Sequence, residues 1–194
     1  HNYGWFDDEW LARLSFHPGE TLTLKNPAAQ PNGRMRTTLL PGLLALVRPN
    51  RAHRDAFRLF EIGHVYLPAA DGRCDERNRL AGVSFNMAAQ PSLEEHFRQI
   101  KGALEDLAVA AGCGPLAFVP QTAAVAGQAP WLAPGHWVEL RRGDRPVGQL
   151  GVLAKPVAEI VALEGQVVWF EVELDALDGA VFPSPKYVAP PIYP

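Results

Sequence analysis

The sequence predicts an α+β fold in which helices flank a mostly antiparallel β-sheet. Strand-like segments follow one another across short turns, and the helical segments fall between them without the strand–helix–strand alternation that is typical of a parallel sheet. One strongly capped helix separates an early pair of strands from a later group. The 194 residues are enough for one large domain or two small ones, with a substantial core.

Residues 5–16 (WFDDEWLARLSF) predict a strand followed by a short helix. Asp7 or Asp8 supplies the N-cap of this helix, because a short acidic side chain accepts hydrogen bonds from free backbone N–H groups of the first turn. Residues 21–30 (TLTLKNPAAQ) predict a short strand that ends at Pro27, since proline keeps the preceding residue out of helical dihedral angles. The apolar face of the short helix consists of Trp10, Leu11 and Leu14.

Residues 34–54 predict the main helix of the first third of the chain. Thr37 or Thr38 caps this helix, and Pro41 is tolerated in its first turn, where the missing N–H has no intrahelical partner to lose. Pro49 bends or ends the helix, because its ring crowds the preceding turn and removes a donor. The stripe expected to be buried consists of Leu40, Leu43, Leu44 and Val47.

Residues 57–68 (FRLFEIGHVYLP) and 79–87 (RLAGVSFNM) predict two strands rich in apolar and β-branched residues. The turn segment 69–78 joins them, which predicts an antiparallel pair. Gly63 marks a position where the first strand could be irregular.

Residues 91–114 predict the clearest helix of the chain. Ser92 caps it, and Glu95 stands three residues later, the spacing of a capping box. Gly112 follows the end of the helix, where glycine is favoured. The predicted apolar stripe consists of Phe97, Ile100, Leu104 and Leu107.

The last third of the chain predicts further strands and one short helix. The segment 141–145 (RRGDR) predicts a hairpin turn between two strands. The predicted strands are 116–120, 136–153 with that turn inside it, and 166–177, and the short helix is 155–164.

Composition excludes several classes of protein. No run of about 18 apolar residues exists, so we expect no membrane span. Hydrophobic residues make up 47% of the chain, which excludes a disordered segment. Cys74 and Cys113 have no second pair, which favours two free thiols in a reducing compartment over a disulfide framework or a zinc site.

Charge is unevenly distributed along the chain, although the net charge is only −3. Residues 34–79 hold nine Arg against five acids, and residues 145–178 hold two bases against six acids. A basic helix end could contact RNA phosphate, but a solvated helix end is favoured because no aromatic residues alternate with the cations. The residues of this basic end are Arg48, Arg51, His53 and Arg54.

The sequence contains no pattern that identifies a catalytic, cofactor-binding or metal-binding residue. It has no HExxH, no GxSxG and no GxxxxGK[ST] motif. His96 follows Glu94 and Glu95, and this pattern favours a solvated helix face over a metal site. Ser15, Ser84 and Ser92 have no histidine at a spacing that indicates a nucleophile and its base. We therefore assign no catalytic, cofactor or metal residue.

Three motifs nevertheless occur in a specific order and spacing: residues 25–27 (KNP), 35–44 (MRTTLLPGLL) and 57–63 (FRLFEIG). Together they resemble the β subunit of phenylalanyl-tRNA synthetase, and the resemblance extends over nearly the whole chain. Further segments that resemble this family, in the same order, are 97–102 (FRQIKG), 133–136 (APGH), 147–151 (VGQLG) and 169–177 (WFEVELDAL).

The resemblance implies a domain that is similar to a class II synthetase catalytic core. Residues 1–182 would form this catalytic-like module, and residues 183–194 would be a proline-rich linker toward an absent C-terminal domain. The chain begins without Met and stops at PPIYP, so we expect it to be a piece of a longer protein. Residues 153–156 (LAKP) depart from the Leu-His-Pro type sequence usual in this family.

The resemblance also identifies what a class II active site would need, namely one Arg for the α-phosphate and another for the γ-phosphate. The match to the first pattern, Phe-Arg-x-Glu, is one residue too long, since Arg58 and Glu61 stand three apart. Side chains alternate along a strand, so the two residues are expected on opposite faces unless a bulge near Gly63 restores the register. No Gly-rich segment followed by Arg occurs after Arg145. Both losses favour a module without catalytic activity, in which Arg58 and Glu61 are solvated strand residues.

We therefore expect a structural and assembly module of phenylalanyl-tRNA synthetase that packs on the catalytic α subunit of a cytoplasmic heterotetramer. The holoenzyme uses ATP and magnesium, whereas this fragment is expected to be inactive, to bind no cofactor and to serve tRNA only indirectly. Residues 38–47 and 57–65 correspond to the segments through which class II cores associate, although their apolar side chains could equally be internal core.

Two alternatives stay open at this point. The first is a free-standing class II-like adenylate-forming ligase, which a retained pair of phosphate-binding Arg residues would have favoured. The second is a regulatory paralogue that binds an amino acid through a fixed cation. Arg36 is the best candidate for that cation, although helix capping or an interface is the favoured role for it.

Overall fold

The computed structural model describes residues 3–27, 33–122, 129–162 and 164–177. The linker expected at 183–194 and the end of the module at 182 lie outside these residues. The helices of the described residues are α1 (Asp8–Arg13), α2 (Leu40–Ala45), α3 (Val47–Arg51), α4 (Leu93–Ala110) and α5 (Lys155–Val161). The strands are β1 (Ala56–Pro68), β2 (Cys74–Asn86), β3 (Ala117–Gln121), β4 (Leu132–Arg142), β5 (Arg145–Leu153) and β6 (Gln166–Glu173).

The six strands form one sheet in the order β1-β2-β6-β5-β4-β3, and each neighbouring pair is antiparallel. This arrangement confirms the predicted fold class. Strand β1 lies at one edge of the sheet and β3 at the other. The last strand in sequence, β6, is inserted between the two hairpins β1–β2 and β4–β5, and a short 3-10 turn (Leu174–Ala176) follows it.

Both hairpins follow from local turn chemistry. The β4–β5 turn confirms the prediction for residues 141–145, and Gly143 adopts a φ of +58°, a conformation that glycine accepts without steric cost. The β1–β2 hairpin pairs every residue from Ala56 with Asn86 to Pro68 with Cys74 without a register shift. The irregularity considered at Gly63 is therefore absent.

The helix predicted over residues 34–54 is two short helices, and this part of the prediction is wrong. Helix α2 ends at Ala45, and α3 begins at Val47. Pro49 lies inside α3, where it has no N–H to donate to the carbonyl of Ala45, so the ladder breaks one turn before the proline. Pro41 lies in the first turn of α2, as predicted.

The strands predicted at the N-terminal end are reduced to single bridges. Trp5 pairs with Met35, and Thr23 pairs with Arg34, each as an isolated antiparallel bridge. Residues 25 and 26 form a bend before Pro27, which has no backbone N–H to donate to a ladder. Residues 28–30 of the predicted strand lie outside the described residues.

The short helix α1 confirms its predicted cap. The Asp7 carboxylate accepts a hydrogen bond from the Trp10 backbone N–H at 3.0 Å. The indole N–H of Trp10 donates to the Pro41 carbonyl at 2.8 Å, which fixes α1 against the start of α2. The apolar side of α1 therefore packs toward the same core as α2.

Two hydrophobic cores lie on opposite faces of the sheet, because side chains alternate along each strand. On β6, Val167 and Trp169 belong to the first core, whereas Val168 and Val172 belong to the second. The first core packs α2, α3 and α5 on the sheet, and the second packs α4. Within the described residues, no helix combines the length and the hydropathy that crossing a membrane requires.

Candidate functional site

Strand β1 has two faces with different environments. Phe57, Leu59 and Val65 face the first core, whereas Arg58 and Phe60 project from the other face and are exposed. The unbroken β1–β2 register therefore places Arg58 on the outer face and Glu61 on the inner face. This confirms the predicted separation of the two residues, so they do not line one pocket together.

Glu61 is not the solvated strand residue that the sequence predicts. Its carboxylate accepts a hydrogen bond from Arg36 Nη1 at 2.7 Å, and the two side chains are only 16% and 10% exposed. Arg36 Nε also donates to the His64 carbonyl at 2.9 Å. Gly63 permits this approach, because a Cβ there would lie 2.5 Å from Arg36 Nη2.

This ion pair also corrects the roles considered for Arg36. The guanidinium is bonded within the fold, to Glu61 and to the backbone of β1. It therefore neither caps a helix nor serves as the cation for a ligand carboxylate. Its buried charge is paired, which is the condition under which a cation is tolerated inside a protein. No sequence pattern indicates this pair, since the partners stand 25 residues apart.

A second nearly buried carboxylate, that of Glu171 on β6, bonds to the start of α2 on the face of the sheet where α2 packs. The Glu171 carboxylate accepts hydrogen bonds from the Leu39 backbone N–H and the Thr38 hydroxyl, both at 2.7 Å, and from Arg79 Nη1 at 3.2 Å. The Thr38 hydroxyl in turn accepts from the Leu40 N–H at 3.3 Å. The N-cap of α2 is therefore Leu39, and the predicted cap at Thr37 or Thr38 is wrong. The charged bond at the start of the helix comes from Glu171, 132 residues away from Leu39.

His96 is buried, which corrects the expectation that it lies on a solvated helix face. Its side chain is 3% exposed, and its Nε2 lies 2.7 Å from the Ser84 hydroxyl oxygen. His96 is in phase with Ile100, Leu104 and Ala108, which together form the buried stripe of α4. The spacing of four residues between these positions is the sequence pattern that indicates burial of His96. Phe97 and Leu107, which were predicted in the stripe, are only partly buried.

Burial lowers the pKa of His96 below its ordinary value, because the charged imidazolium loses hydration. The Gln166 side chain opposes this by favouring the protonated ring, and the charge of Arg58 adds a smaller lowering effect on the pKa. Neither His96 Nδ1 nor Gln166 Oε1 has a partner at full hydrogen-bond geometry. The neutral imidazole shares one hydrogen bond with the Ser84 hydroxyl at Nε2, and the tautomer of the ring decides which of the two groups donates.

The Ser84–His96 pair lines a cavity of about 400 Å³ where β1, β2 and the first turns of α4 meet. Arg58 stands at this cavity, and its Nη2 donates to Gln99 Oε1 at 3.3 Å. The pairing of Ser84 with His96 links residues 12 apart in sequence that occupy different elements. The sequence therefore did not indicate it.

The basic helix end is partly bonded within the fold. Arg51 Nη1 donates to the Ala162 carbonyl, and Arg51 Nη2 lies 3.6 Å from a Glu164 carboxylate oxygen. Two of its donors therefore connect α3 to the end of α5, a role that the prediction of a solvated helix end did not include. Across the four described ranges, no three His, Cys, Asp or Glu side chains are grouped so that they could hold a metal ion.

Residues 1–174 match the protein family described as the phenylalanyl tRNA synthetase beta chain CLM domain. This match covers most of the chain. The chain belongs to this family. Apart from residues 25–27, the sequence motifs that resemble it lie in or next to α2, β1, α4, β4, β5 and β6, which contribute to the sheet and to both of its cores.

Relatives of the CLM-domain family show how much of a whole subunit the chain represents. The phenylalanine–tRNA ligase beta subunit of Hahella chejuensis is 33% identical over 191 residues, which cover 95% of this chain and 23% of that subunit. The beta subunit of Symbiobacterium thermophilum is 33% identical over 181 residues, which cover 89% of this chain and 20% of that subunit. The chain thus spans less than a quarter of the length of these relatives.

A solved structure shows the fold of this CLM-domain chain. Desulfitobacterium hafniense PylSc, a pyrrolysyl tRNA synthetase, matches with a TM-score of 0.69 at 19% sequence identity and covers 91% of this chain and 60% of that chain. At this identity the likeness shows the fold alone. It confirms the predicted class II synthetase-like architecture.

Proposed function

We propose that the chain is a non-catalytic, class II-like module that packs on the catalytic α subunit of phenylalanine–tRNA ligase and supports the attachment of phenylalanine to tRNA. Family membership supports the assignment to the β subunit. In this proposal the module meets tRNA only indirectly, and the holoenzyme works in the cytoplasm as a heterotetramer.

The observation that carries the proposed assembly role is an uncovered apolar area on edge strand β1. Phe60 is 72% exposed and Ile62 is 62% exposed, and both project from the outer face of the strand. An edge strand also has unpaired backbone groups along one side, which makes it a natural place for contact with another chain. Large exposed apolar side chains grouped on one face are typical of an interaction surface.

The two segments considered for this interface have different environments. In α2, Leu40, Leu43 and Leu44 are fully or almost fully buried in the first core, so they serve the fold of this chain. The outer positions of β1 are exposed instead. We therefore assign the contact with the α subunit to the outer face of β1, and not to the apolar stripe of α2.

The separation of Arg58 from Glu61 supports the absence of catalysis. A strand that holds ATP through an Arg and a Glu needs both side chains on one face, and here Glu61 is bonded to Arg36 on the inner face. On β6, Glu171 is paired with Arg79, and Glu173 is paired with Arg77 and Arg145, so these arginines are neutralised within the fold and are not presented to a phosphate. In the proposed function, ATP and magnesium are used by the α subunit, and this module binds no cofactor of its own.

Co-expression of the chain with the α subunit from the same source tests the assembly role. The wild-type chain is expected to co-purify with the α subunit at a fixed ratio, whereas the double variant Phe60→Asp, Ile62→Asp is expected to lose it. Val109→Asp is the matched control, because Val109 is an equally exposed apolar residue (74%) on α4, away from β1. Equal recovery of all three complexes would contradict the assigned surface.

A further inference from the structure

The backbone groups of strand β1 alternate in direction, so that every second residue turns its N–H and C=O toward the free edge of the sheet. Tyr66 shows which residues these are, because its N–H donates to the Arg36 carbonyl at 2.8 Å and not to β2. The Asp55 carbonyl, one residue before the strand, accepts from the Met87 N–H on the β2 side at 2.8 Å. The register has no shift along the strand, so the even-numbered residues face the edge throughout β1.

Arg36 occupies one end of this edge. Its carbonyl accepts from the Tyr66 N–H, and its Nε donates to the His64 carbonyl at 2.9 Å. Before His64, no hydrogen bond within the described residues reaches the edge-facing backbone groups of three residues, Arg58, Phe60 and Ile62. Residues 58–62 therefore form an open edge, which is long enough to pair with an added strand of about five residues.

The side chains of the open edge lie on the outer face of the sheet. Phe60 is 72% exposed and Ile62 is 62% exposed. Side chains of directly paired residues on neighbouring strands lie about 5 Å apart on one face, so apolar side chains of an added strand would cover both residues. Arg58 has one hydrogen bond, to Gln99 Oε1 at 3.3 Å, and it forms no ion pair within the described residues. An acidic side chain opposite Arg58 would be complementary to its charge.

The opposite edge of the sheet, β3, is protected against strand addition. Pro120 has no N–H to donate, and the Val119 carbonyl already accepts a hydrogen bond from Gln121 Nε2 at 3.3 Å. Strand β3 also has only five residues, whereas β1 has 13 and contains no proline within the open edge. The two edges therefore differ, and β1 is the edge at which a further strand can pair.

We propose that an extended segment of the α subunit adds to the sheet as a strand at the open edge of β1. Its backbone pairs with Arg58, Phe60 and Ile62, its side chains opposite Phe60 and Ile62 are apolar, and its side chain opposite Arg58 is acidic. This inference rests on the proposed function, in which the α subunit contacts the outer face of β1. It adds the mode of contact and the chemistry of the partner segment.

Hydrogen–deuterium exchange, resolved to single amides by mass spectrometry, tests the inference on the chain alone and in complex with the α subunit. The amides of Phe60 and Ile62 are expected to exchange about 100-fold more slowly in the complex, because their N–H groups become hydrogen-bonded. The Tyr66 amide is the internal reference, since it is already bonded to the Arg36 carbonyl in the chain alone. We expect a much smaller change there.

Two variants of Phe60 separate the main-chain contact from the side-chain contact. Phe60→Ala and Phe60→Pro both remove the ring, but only proline removes the N–H, which faces the edge and is not bonded to β2. Phe60→Pro is expected to bind the α subunit about fivefold more weakly than Phe60→Ala. Circular dichroism shows whether each variant is folded, and the exchange measurement on the wild-type chain does not depend on either variant.

Arg58→Glu tests the acidic side chain of the partner segment. It is expected to weaken binding of the α subunit by about tenfold, because two like charges would then face each other. Arg98→Glu is the matched control with the same change of charge, since Arg98 is an exposed α4 residue paired with Glu94. Unchanged binding of Arg58→Glu would contradict an acidic side chain at this position.

The outcomes distinguish this inference from the proposed function. A complex in which the Phe60 and Ile62 amides exchange as fast as in the chain alone would overturn the inference and leave the assembly role in place, as would equal affinities of the two Phe60 variants. Failure of the α subunit to bind the wild-type chain would overturn the proposed function and the inference with it. Protection of these amides in the chain alone that rises with its concentration would assign the open edge to a second copy of the chain and contradict the inference.

Discussion

The two faces of strand β1 differ in how their polar and apolar groups are satisfied. On the inner face, Glu61 is paired with Arg36, and Val65 is fully buried in the first core. On the outer face, Arg58 has one long hydrogen bond, and Phe60 and Ile62 are exposed. The period of two along a strand thus separates residues that stabilise this chain from residues that are available to a partner or a ligand.

This comparison also explains why the phosphate-binding pattern is broken. A shift of one residue moves a side chain to the opposite face, and no bulge in the β1–β2 pairing reverses that shift. Glu61 consequently acts as the partner of a buried Arg. Arg58 lies on the exposed face, so the Arg and the Glu of the phosphate-binding pattern are not brought together.

The largest effect is expected from the inner face. Glu61→Gln should lower the free energy of unfolding by about 2 kcal/mol, because the nearly buried guanidinium of Arg36 loses its charged partner. Urea-induced unfolding measures the change. Glu94→Gln is the control, since Glu94 forms an exposed pair with Arg98 four residues away and should cost about 0.5 kcal/mol or less. Equal effects of the two variants would contradict the difference between the faces.

The next effect tests where the uncovered area of the sheet ends. Gly82 on β2 lies under Phe170, and a Cβ there would be 2.4 Å from the Phe170 ring and 3.2 Å from the Leu59 carbonyl. Gly82→Ala should therefore destabilise the chain by about 1–3 kcal/mol in thermal or urea unfolding. Gly102→Ala is the matched control, because no atom lies within 4 Å of that Cβ on helix α4.

Gly102→Ala is expected to be neutral or to stabilise the chain by up to about 1 kcal/mol, since alanine favours the helical conformation. A tolerated Gly82→Ala would mean that Phe170 does not cover β2. The exposed outer face would then extend from β1 onto β2, and β1 would not be the limit of the uncovered area.

Helix α4 shows which parts of the structure the sequence determines locally. The capping box is confirmed, with Ser92 Oγ accepting from the Glu95 N–H and Glu95 Oε2 accepting from the Ser92 N–H. The two residues stand three apart, so their types and their spacing are enough to predict the capping box. The alternation along β1 and the turn at Gly143 were predictable for the same reason.

The polar groups of the site could not be predicted in this way, because their partners are distant in the chain. Glu171 bonds to the start of α2 across 132 residues, and Arg36 bonds to Glu61 across 25 residues. The environment of His96 depends on Ser84 of another element. Only the spacing of His96 from Ile100 indicated its buried face, which the prediction of a solvated face did not use, and no pattern indicated its partner.

The pH dependence of stability is a smaller effect that tests the buried histidine. The pKa of His96 in the folded chain lies below its ordinary value of 6.5, so the unfolded chain takes up the proton first as the pH falls. This contribution to stability is complete above pH 6.5 and is lost as the pH falls below 6.5. The slope approaches at most about 1.4 kcal/mol per pH unit.

Urea unfolding at several pH values between 5 and 7 measures this slope, and His96→Gln should reduce it. The lowered pKa values of Asp71 and Asp175 concern a more acidic range, below 3.8. They therefore do not produce the same slope in this window. An unchanged slope in His96→Gln would show that burial does not disfavour the charged imidazole.

The smallest effect on stability is expected from the outer face of β1. Phe60→Asp with Ile62→Asp should change the free energy of unfolding by about 0.5 kcal/mol or less, because both side chains are mainly exposed in the isolated chain. The same variant should lose the α subunit. A loss of more than about 2 kcal/mol would mean that these side chains stabilise the chain itself, contrary to the comparison.

Calorimetric titration of the chain with ATP and magnesium, with and without phenylalanine, tests the central claim most directly. The separation of Arg58 from Glu61 predicts no saturable heat at ATP concentrations up to about 1 mM, the upper end of ordinary substrate affinities. Saturable, magnesium-dependent binding that Arg58→Gln abolishes would contradict the account. The two faces of β1 would then cooperate in one nucleotide site, and the adenylate-forming ligase would become the favoured function.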